Sequence, residues 1–171
     1  MHFSTKFYCN VLKYDLINVY NFKLNSNLPK LKTIVLTLQL KTCDIKKISA
    51  SLLAFELITQ QWSQFISAWK SKVSLKIRKG SAVGCTLIIK KRNMFAFFNK
   101  TVFEMILKLN TKKAQNYSTI QFTIKNVFNV NELKNHYNFF HNLSSLKIIL
   151  LMDYNNKNLT FFFKSLTNYL I

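Results

Sequence analysis

The chain contains only two glycines and one proline among its 171 residues. Glycine is the residue that most readily adopts positive φ angles, so this chain has few positions at which the backbone can turn sharply without strain. The two glycines, Gly80 and Gly84, bracket Ser81-Ala82-Val83, between a basic segment and an apolar one. At other turns we expect asparagine to fill in, because it tolerates positive φ better than most residues.

Apolar periodicity predicts helices and strands interspersed along the chain. A first helix is expected over residues 3–20, with an apolar stripe of Phe7, Val11, Tyr14 and Ile17. Pro29 then marks a boundary. A second helix is expected from Asp44, as its N-cap, to Thr59, with Ile45, Ile48, Leu52 and Phe55 on one face.

Further elements follow the same reasoning. Strands are predicted over residues 31–40, 64–68, 85–90, 117–125 and 146–152. A helix is expected from Met94 to Leu109, a short helix or an irregular segment over 132–141, and a final amphipathic helix over 158–170. These elements predict an α+β fold: a single mixed or antiparallel sheet, helices packed on one face, and a basic loop protruding between strands. We expect one domain, residues 1–171, with an N-terminal helix and lead-in over 1–27 and the α+β body over 28–171.

The charge of the chain is strongly one-sided. It has 25 Lys and Arg against 6 Asp and Glu, a formal net charge of +19. Such a chain repels itself unless a polyanion neutralises it, and RNA phosphate is the leading candidate. The alternative is an anionic membrane surface, bound through the Phe-rich final helix with Phe161 to Phe163. Because no apolar stretch reaches 18 residues, we expect no membrane span.

Catalytic and metal-binding patterns are not found in the sequence. Cys9, Cys43 and Cys85 have no CxxC spacing, which favours free thiols in a reducing compartment, and the three histidines add no metal pattern. The six acidic residues are dispersed, and there is no phosphate-binding loop or nucleophile motif. We therefore predict no enzyme activity, no metal and no cofactor.

The segment from Gln60 to Arg92 carries the most informative pattern. Two basic clusters, at 70–79 and 90–92, flank a hairpin-like pair of strands, and Trp62 and Trp69 lie close by. Cations neutralise phosphates and aromatic rings stack on bases, so the pattern is typical of an RNA-binding loop. The alternative is a solvated charged face with both tryptophans in the core.

The run from Ile58 to Cys85 resembles the family of large ribosomal subunit protein five, which reads approximately ISGQKP…KSVAGFKIRxGxPIGC at this place. The match needs no gap, and both glycines of the chain fall on family glycines. Three further segments resemble the family in the same order along the chain: Leu28 to Ile34, Asn93 to Phe98, and Asn116 to Ser118.

The resemblance implies a structural protein of the large ribosomal subunit that binds 5S ribosomal RNA and neighbouring large-subunit RNA in the central protuberance. It also implies a loop, residues 68–83 here, that reaches toward the transfer RNA in the peptidyl site, and a bridge to a protein of the small-subunit head. The rRNA-binding residues implied by position and charge are Lys30, Lys32, Thr37, Gln61, Trp62, Lys90, Lys91 and Arg92. The residues implied near the transfer RNA are Trp69, Lys70, Ser71, Lys72, Lys76, Arg78 and Lys79.

The chain departs from the family at several polar positions. Thr37 replaces an asparagine, Ile88 replaces an RNA-contacting threonine, and Gln60 replaces the glycine of ISGQKP. The glycine-rich segment before NYS is reduced to residues 110–115. Abundant Asn, Lys, Ile, Phe and Tyr indicate an AT-rich genome. We therefore expect an organelle-encoded protein of the mitochondrial ribosome rather than one of a plastid.

Overall fold

The structure, a computed structural model, describes residues 6, 8–20, 28, 30–40, 42–98, 114–116 and 119–152. The final helix and most of the helix expected from Met94 to Leu109 lie outside the described residues. The chain divides into two compact units. The first comprises the described residues within Met1–Ile34, Lys90–Gln121 and Ile149–Ile171, and the second comprises those within Val35–Ile89 and Phe122–Ile148.

The strands form a six-stranded sheet in the order β2-β3-β1-β6-β5-β4. Their bounds are β1 Leu31–Gln39, β2 Gln64–Ser67, β3 Ala82–Lys90, β4 Ala114–Asn116, β5 Thr119–Ile124 and β6 Leu146–Met152. The helices are α1 Lys13–Tyr20, α2 Ile45–Thr59, α3 Lys91–Phe97, α4 Asn131–Lys134 and α5 Tyr137–Phe140. The α+β fold with one sheet is confirmed, and the segment expected over 132–141 is formed by the two short helices α4 and α5.

The first unit begins with a wider helical turn than the sequence predicts. A π-helical turn, Tyr8–Leu12, precedes α1. Such a turn inserts an extra residue into the helical repeat and so rotates the apolar face. Leu12 and Leu16 are fully buried, whereas Tyr14 is exposed. The predicted stripe through Val11, Tyr14 and Ile17 was therefore wrong.

The second unit is built around α2 and the strands beside it. Cys85 of β3 and Ser51 of α2 form a buried contact, 3.0 Å between Sγ and Oγ. The apolar residues of α2 that are buried are Ile48, Ala54, Phe55 and Ile58. Ile45, predicted on the same face, is exposed. Its position in the first turn leaves it beyond the part of the helix that packs.

The beginning of α2 differs from the prediction in its chemistry. Asp44 occupies the N-cap position with extended backbone, but its side chain makes no capping hydrogen bond. Its carboxylate instead accepts from the Thr42 hydroxyl at 2.8 Å and lies 2.8 Å from Lys47 Nζ. These interactions, the Lys47 contact first, hold the pKa of Asp44 below its ordinary value.

Strands β1 and β3 run side by side and antiparallel in the second unit. The Leu40 N–H donates to the Val83 carbonyl at 2.8 Å, and the Thr86 hydroxyl donates to the Leu36 carbonyl at 3.2 Å. Moving back along β1 from Leu40 to Leu36 moves the partner forward along β3 from Val83 to Thr86, as antiparallel pairing requires. Strand β3 starts at Ala82 rather than at the predicted Cys85, because Gly84 continues the strand instead of ending a turn.

Alternation separates two faces of β1 and β3. Leu36, Leu38, Cys85 and Leu87 are buried on the face that α2 covers. The intervening residues Thr37, Gln39, Thr86 and Ile88 point to the opposite face, where Ile88 is half exposed. This opposite face is called the open face below.

Candidate nucleic-acid interface

A basic arm projects between β2 and β3, over residues 68–81. Its base is closed by two backbone hydrogen bonds of 2.9 Å, from Ala68 N–H to the Ser81 carbonyl and from Gly80 N–H to the Ala68 carbonyl. Gly80 has φ +85°, which an L side chain rarely adopts. The Ser81 hydroxyl donates to the Arg78 carbonyl at 2.6 Å, which adds a hydrogen bond within the turn that leads into β3.

The tip of the arm has its own hydrogen-bonded structure. Lys72 and Ile77 exchange two backbone hydrogen bonds of 2.9 and 3.0 Å, and a 3₁₀ turn, Val73–Leu75, lies between them. Lys76 closes that turn in the left-handed region, with φ 53°. Ile77 is 8% exposed and is the arm's buried anchor. The arm is therefore an ordered hairpin and not an irregular loop.

The charges on the arm are all of one sign. The implied transfer-RNA-proximal residues that are exposed in this hairpin and its base are Trp69, Lys70, Ser71, Lys72, Lys76, Arg78 and Lys79. The sequence has no Asp or Glu between Glu56 and Glu104. Within the described part of the chain, none of the arm's five cations forms an ion pair. A phosphate backbone is the partner that would neutralise such a surface.

The tryptophans decide between the two interpretations of this segment. Trp62 is 89% exposed and Trp69 is 85% exposed, so the alternative that places them in the core was wrong. Phe65 of β2, which the sequence did not single out, is also exposed. The sequence gave no signal for this exposure, because Phe65 and Ile66 are adjacent apolar residues in a four-residue strand and show no alternation. The sheet order places β2 at an edge.

The open face carries a second group of polar side chains. In the register of β2 and β3, Gln64 lies opposite Thr86, so both point to this face. Lys147 of β6 reaches across to β1 and donates to the Gln39 amide oxygen at 3.2 Å. Gln39, Gln64, Thr86 and Lys147 were not predicted as site residues. The alternation within their strands is the signal that could have found them.

The remaining predicted residues are distributed over both units. Thr37 lies on the open face of the second unit, and Gln61, half buried, follows α2 there. Lys30, Lys32, Lys90, Lys91 and Arg92 are exposed residues of the first unit. Lys91 has φ 54° at the junction of β3 and α3. That these residues bind RNA stays a prediction.

Other kinds of site find little support in the residues that the structure describes. Among them no group of three or more His, Cys, Asp or Glu side chains is placed to hold a metal ion. Likewise, none of the described helices has the length and apolar character needed to cross a membrane. The final helix, on which the membrane-surface alternative depends, lies outside this part of the chain.

Known proteins similar to this chain are ribosomal. The chain is 27% identical over 154 residues to large ribosomal subunit protein uL5m of Reclinomonas americana, a match that covers 85% of each chain. It is 32% identical over 99 residues to uL5 of Desulfosudis oleivorans, covering 57% of this chain and 55% of that protein. It is 29% identical over 119 residues to uL5 of Malacoplasma penetrans, covering 65% and 64%. The match to the Desulfosudis protein thus spans about half of that relative's length. No family model matches the chain.

Proposed function

We propose that the chain, a divergent mitochondrial member of the uL5 family of large ribosomal subunit proteins, binds 5S rRNA. We propose that it also binds the neighbouring large-subunit rRNA in the central protuberance. It acts there as a structural constituent of the ribosome and not as an enzyme. The single observation that carries the RNA-binding role is the arm: an ordered hairpin whose charged side chains are all cationic, formed by residues of the family-like run Ile58 to Cys85.

The open face is the proposed contact for 5S rRNA. Hydroxyl and amide side chains of Thr37, Gln39, Gln64 and Thr86 offer donors and acceptors for phosphate, ribose and base edges. Lys147, held by Gln39, adds a cation to the same face. Ile88 interrupts this face with a half-exposed apolar side chain. Because the family has a threonine at this position, we expect the contact near β3 to be weaker in this chain than in relatives that keep the threonine.

The arm is the proposed contact for transfer RNA in the peptidyl site. Its tip is held by the Lys72–Ile77 hydrogen bonds, so its cations are presented without the full cost of ordering a free loop. The proposal also includes the contact that the family resemblance implies with a protein of the small-subunit head, across an intersubunit bridge. The composition and the similarity to a mitochondrial relative support a mitochondrial ribosome and synthesis within the organelle.

Salt-dependent binding tests the role of the arm. We would replace Lys70, Lys72, Lys76, Arg78 and Lys79 with serine and measure affinity for a 5S-type RNA and for transfer RNA across a salt series. Each lost phosphate contact should reduce the slope of log affinity against log salt by about 0.7–0.9. Lys76→Ser on the arm and Lys46→Ser on α2 each remove one positive charge. Only the arm variant should reduce the salt slope by a full phosphate contact, so the pair separates the loss of a contact from the loss of charge. Equal slopes for the arm variant and the native chain would contradict the proposed contact.

A further inference from the structure

Three large aromatic side chains lie exposed within eight residues, one before β2, one on it and one after it at the base of the arm. The chain has only two tryptophans, and both are here, Trp62 and Trp69. Phe65, between them on β2, is 59% exposed. Large aromatic side chains contribute to stability mainly when they are buried, so such a concentration in water indicates a surface that binds something.

The backbone that carries the two indoles is already fixed. Trp69 follows Ala68, whose N–H and carbonyl are both hydrogen-bonded across the base of the arm. Trp62 lies two residues after Gln60, which ends α2 in the left-handed region and donates its N–H to the Glu56 carbonyl at 2.8 Å. A partner that binds these rings therefore needs to order side chains but little of the main chain.

The surrounding charge selects the class of partner. An apolar protein surface docked on the indoles would also approach the arm's cations, and no acidic residue of this segment is available to neutralise them. A nucleic-acid duplex supplies phosphates but keeps its base faces stacked inside. A single strand supplies phosphates and open base faces together.

We propose that Trp62 and Trp69 stack on unpaired nucleotides, so that the segment from Trp62 to Trp69, with β2 between the two rings, is a binding site for single-stranded RNA. This inference rests on the proposed function and makes it more specific: it names unpaired bases, not only phosphates, as what this part of the chain recognises. Phosphate contacts weaken steeply with salt, whereas stacking persists, so the two contributions can be measured separately.

The intrinsic fluorescence of the full chain is the direct test, because its only tryptophans are the two proposed stacking residues. The probe is an oligouridine of about ten nucleotides, within the range of site sizes of single-strand binders, compared with an RNA duplex of the same length. We expect the single strand to quench the fluorescence, and the quenching to persist at raised salt when the RNA is in saturating excess. Trp62→Phe and Trp69→Phe leave one reporter each and retain a ring that stacks.

Affinity of a labelled oligouridine provides the second measurement. Each of Trp62→Ala and Trp69→Ala should weaken binding about 5- to 150-fold with an unchanged salt slope, and the phenylalanine variants should recover most of the loss. Phe139→Ala is the matched control, since Phe139 is an exposed aromatic residue of α5 outside the arm, and it should have no effect.

The outcomes separate this inference from the proposed function. Equal quenching by the duplex, or RNA binding that the alanine variants leave unchanged, would overturn the stacking proposal while the ribosomal assignment stands. Absence of the native chain from ribosomal particles, tested independently, would overturn both.

Discussion

The two glycines of this chain have opposite structural roles, and substituting each of them tests the account of the β1–β3 pairing. A Cβ placed on Gly84 would clash with the Leu38 carbonyl oxygen and lie 3.1 Å from the Gln39 Cα. All of these atoms belong to the backbone of the neighbouring strand, so no side chain can move aside. A Cβ placed on Gly80 would meet nothing within 4 Å, but the backbone there has φ +85°.

The cost of Gly84→Ala follows from three contributions. Overpacking costs about 1–3 kcal/mol, and moving β3 away from β1 weakens the Leu40–Val83 hydrogen bond, which contributes about 1 kcal/mol. The loss of glycine's freedom in the unfolded chain offsets about 0.4–1 kcal/mol. We therefore expect the free energy of unfolding to fall by about 1–3 kcal/mol, which lowers Tm by roughly 2–12 °C for a chain of this size.

Gly80→Ala should also destabilise, by about 1–2 kcal/mol, because an L residue is strained at positive φ. The distinguishing experiment is asparagine at each site, since asparagine tolerates this backbone region. Gly80→Asn should recover much of the lost stability, whereas Gly84→Asn should be at least as damaging as alanine. Far-ultraviolet circular dichroism during urea unfolding is the suitable assay, because both tryptophans are exposed in the native state and report weakly on unfolding. A neutral or stabilising Gly84→Ala would show that β1 does not approach Gly84 as closely as the structure has it.

Other consequences of the structure are testable with single substitutions. Gln60→Gly should raise the free energy of unfolding by about 0.5–1 kcal/mol, measured by urea denaturation, because Gln60 ends α2 with φ 56°; a loss of stability would contradict this. In a thiol-labelling time course Cys9 should react quickly and Cys85 only on unfolding, since Cys85 is buried and burial raises its thiol pKa; equal rates would contradict the assigned burial. Asp44→Asn should remove a stabilising effect that is present above the unfolded carboxyl pKa and is lost as pH falls through the lowered folded pKa. Acid titrations of the two proteins should therefore converge at low pH, and a constant difference would contradict the Asp44–Lys47 contact.

Much of the fold could be predicted because burial imposes a period on the sequence. Strand β6 was predicted with its observed bounds, and the predicted end of α2 at Thr59 is the observed one. The predicted end of β1 is one residue beyond the observed end at Gln39. Their apolar residues recur at the spacing of the element that buries them. The buried stripe of the N-terminal helix was missed because the π-helical turn Tyr8–Leu12 changes that spacing. A search for the α-helical period in the sequence does not reveal such a turn.

Turns were less predictable in a chain with so little glycine. The described non-glycine residues with positive φ are Gln60, Lys76 and Lys91, and not asparagine as expected. Each is set by what its neighbours require: a helix end, a hairpin tip and a strand–helix junction. Gly84, by contrast, lay just before the predicted strand 85–90 but is within β3, where the close approach of β1 requires a residue without a side chain.

The basic arm could be located from charge, but its internal structure could not. Lysine and arginine cluster visibly in the sequence, whereas the pairing of Lys72 with Ile77 leaves no periodic signal over so short a hairpin. The exposure of Trp62 and Trp69 was also undecided, since an aromatic residue near a strand is equally compatible with a core. The open-face residues Gln39 and Lys147 come together only through the pairing of β1 with β6, so neither belongs to a cluster of polar residues in the sequence.

Sedimentation of the tagged chain from a mitochondrial lysate, followed by sequencing of the RNA that it retains, shows directly whether the chain is part of the large ribosomal subunit. We expect the chain to co-migrate with large ribosomal subunits and a 5S-type RNA to be recovered with it. Co-migration without that RNA would retain the ribosomal assignment and move the main contact to large-subunit RNA. Absence of the chain from ribosomal particles would contradict the account.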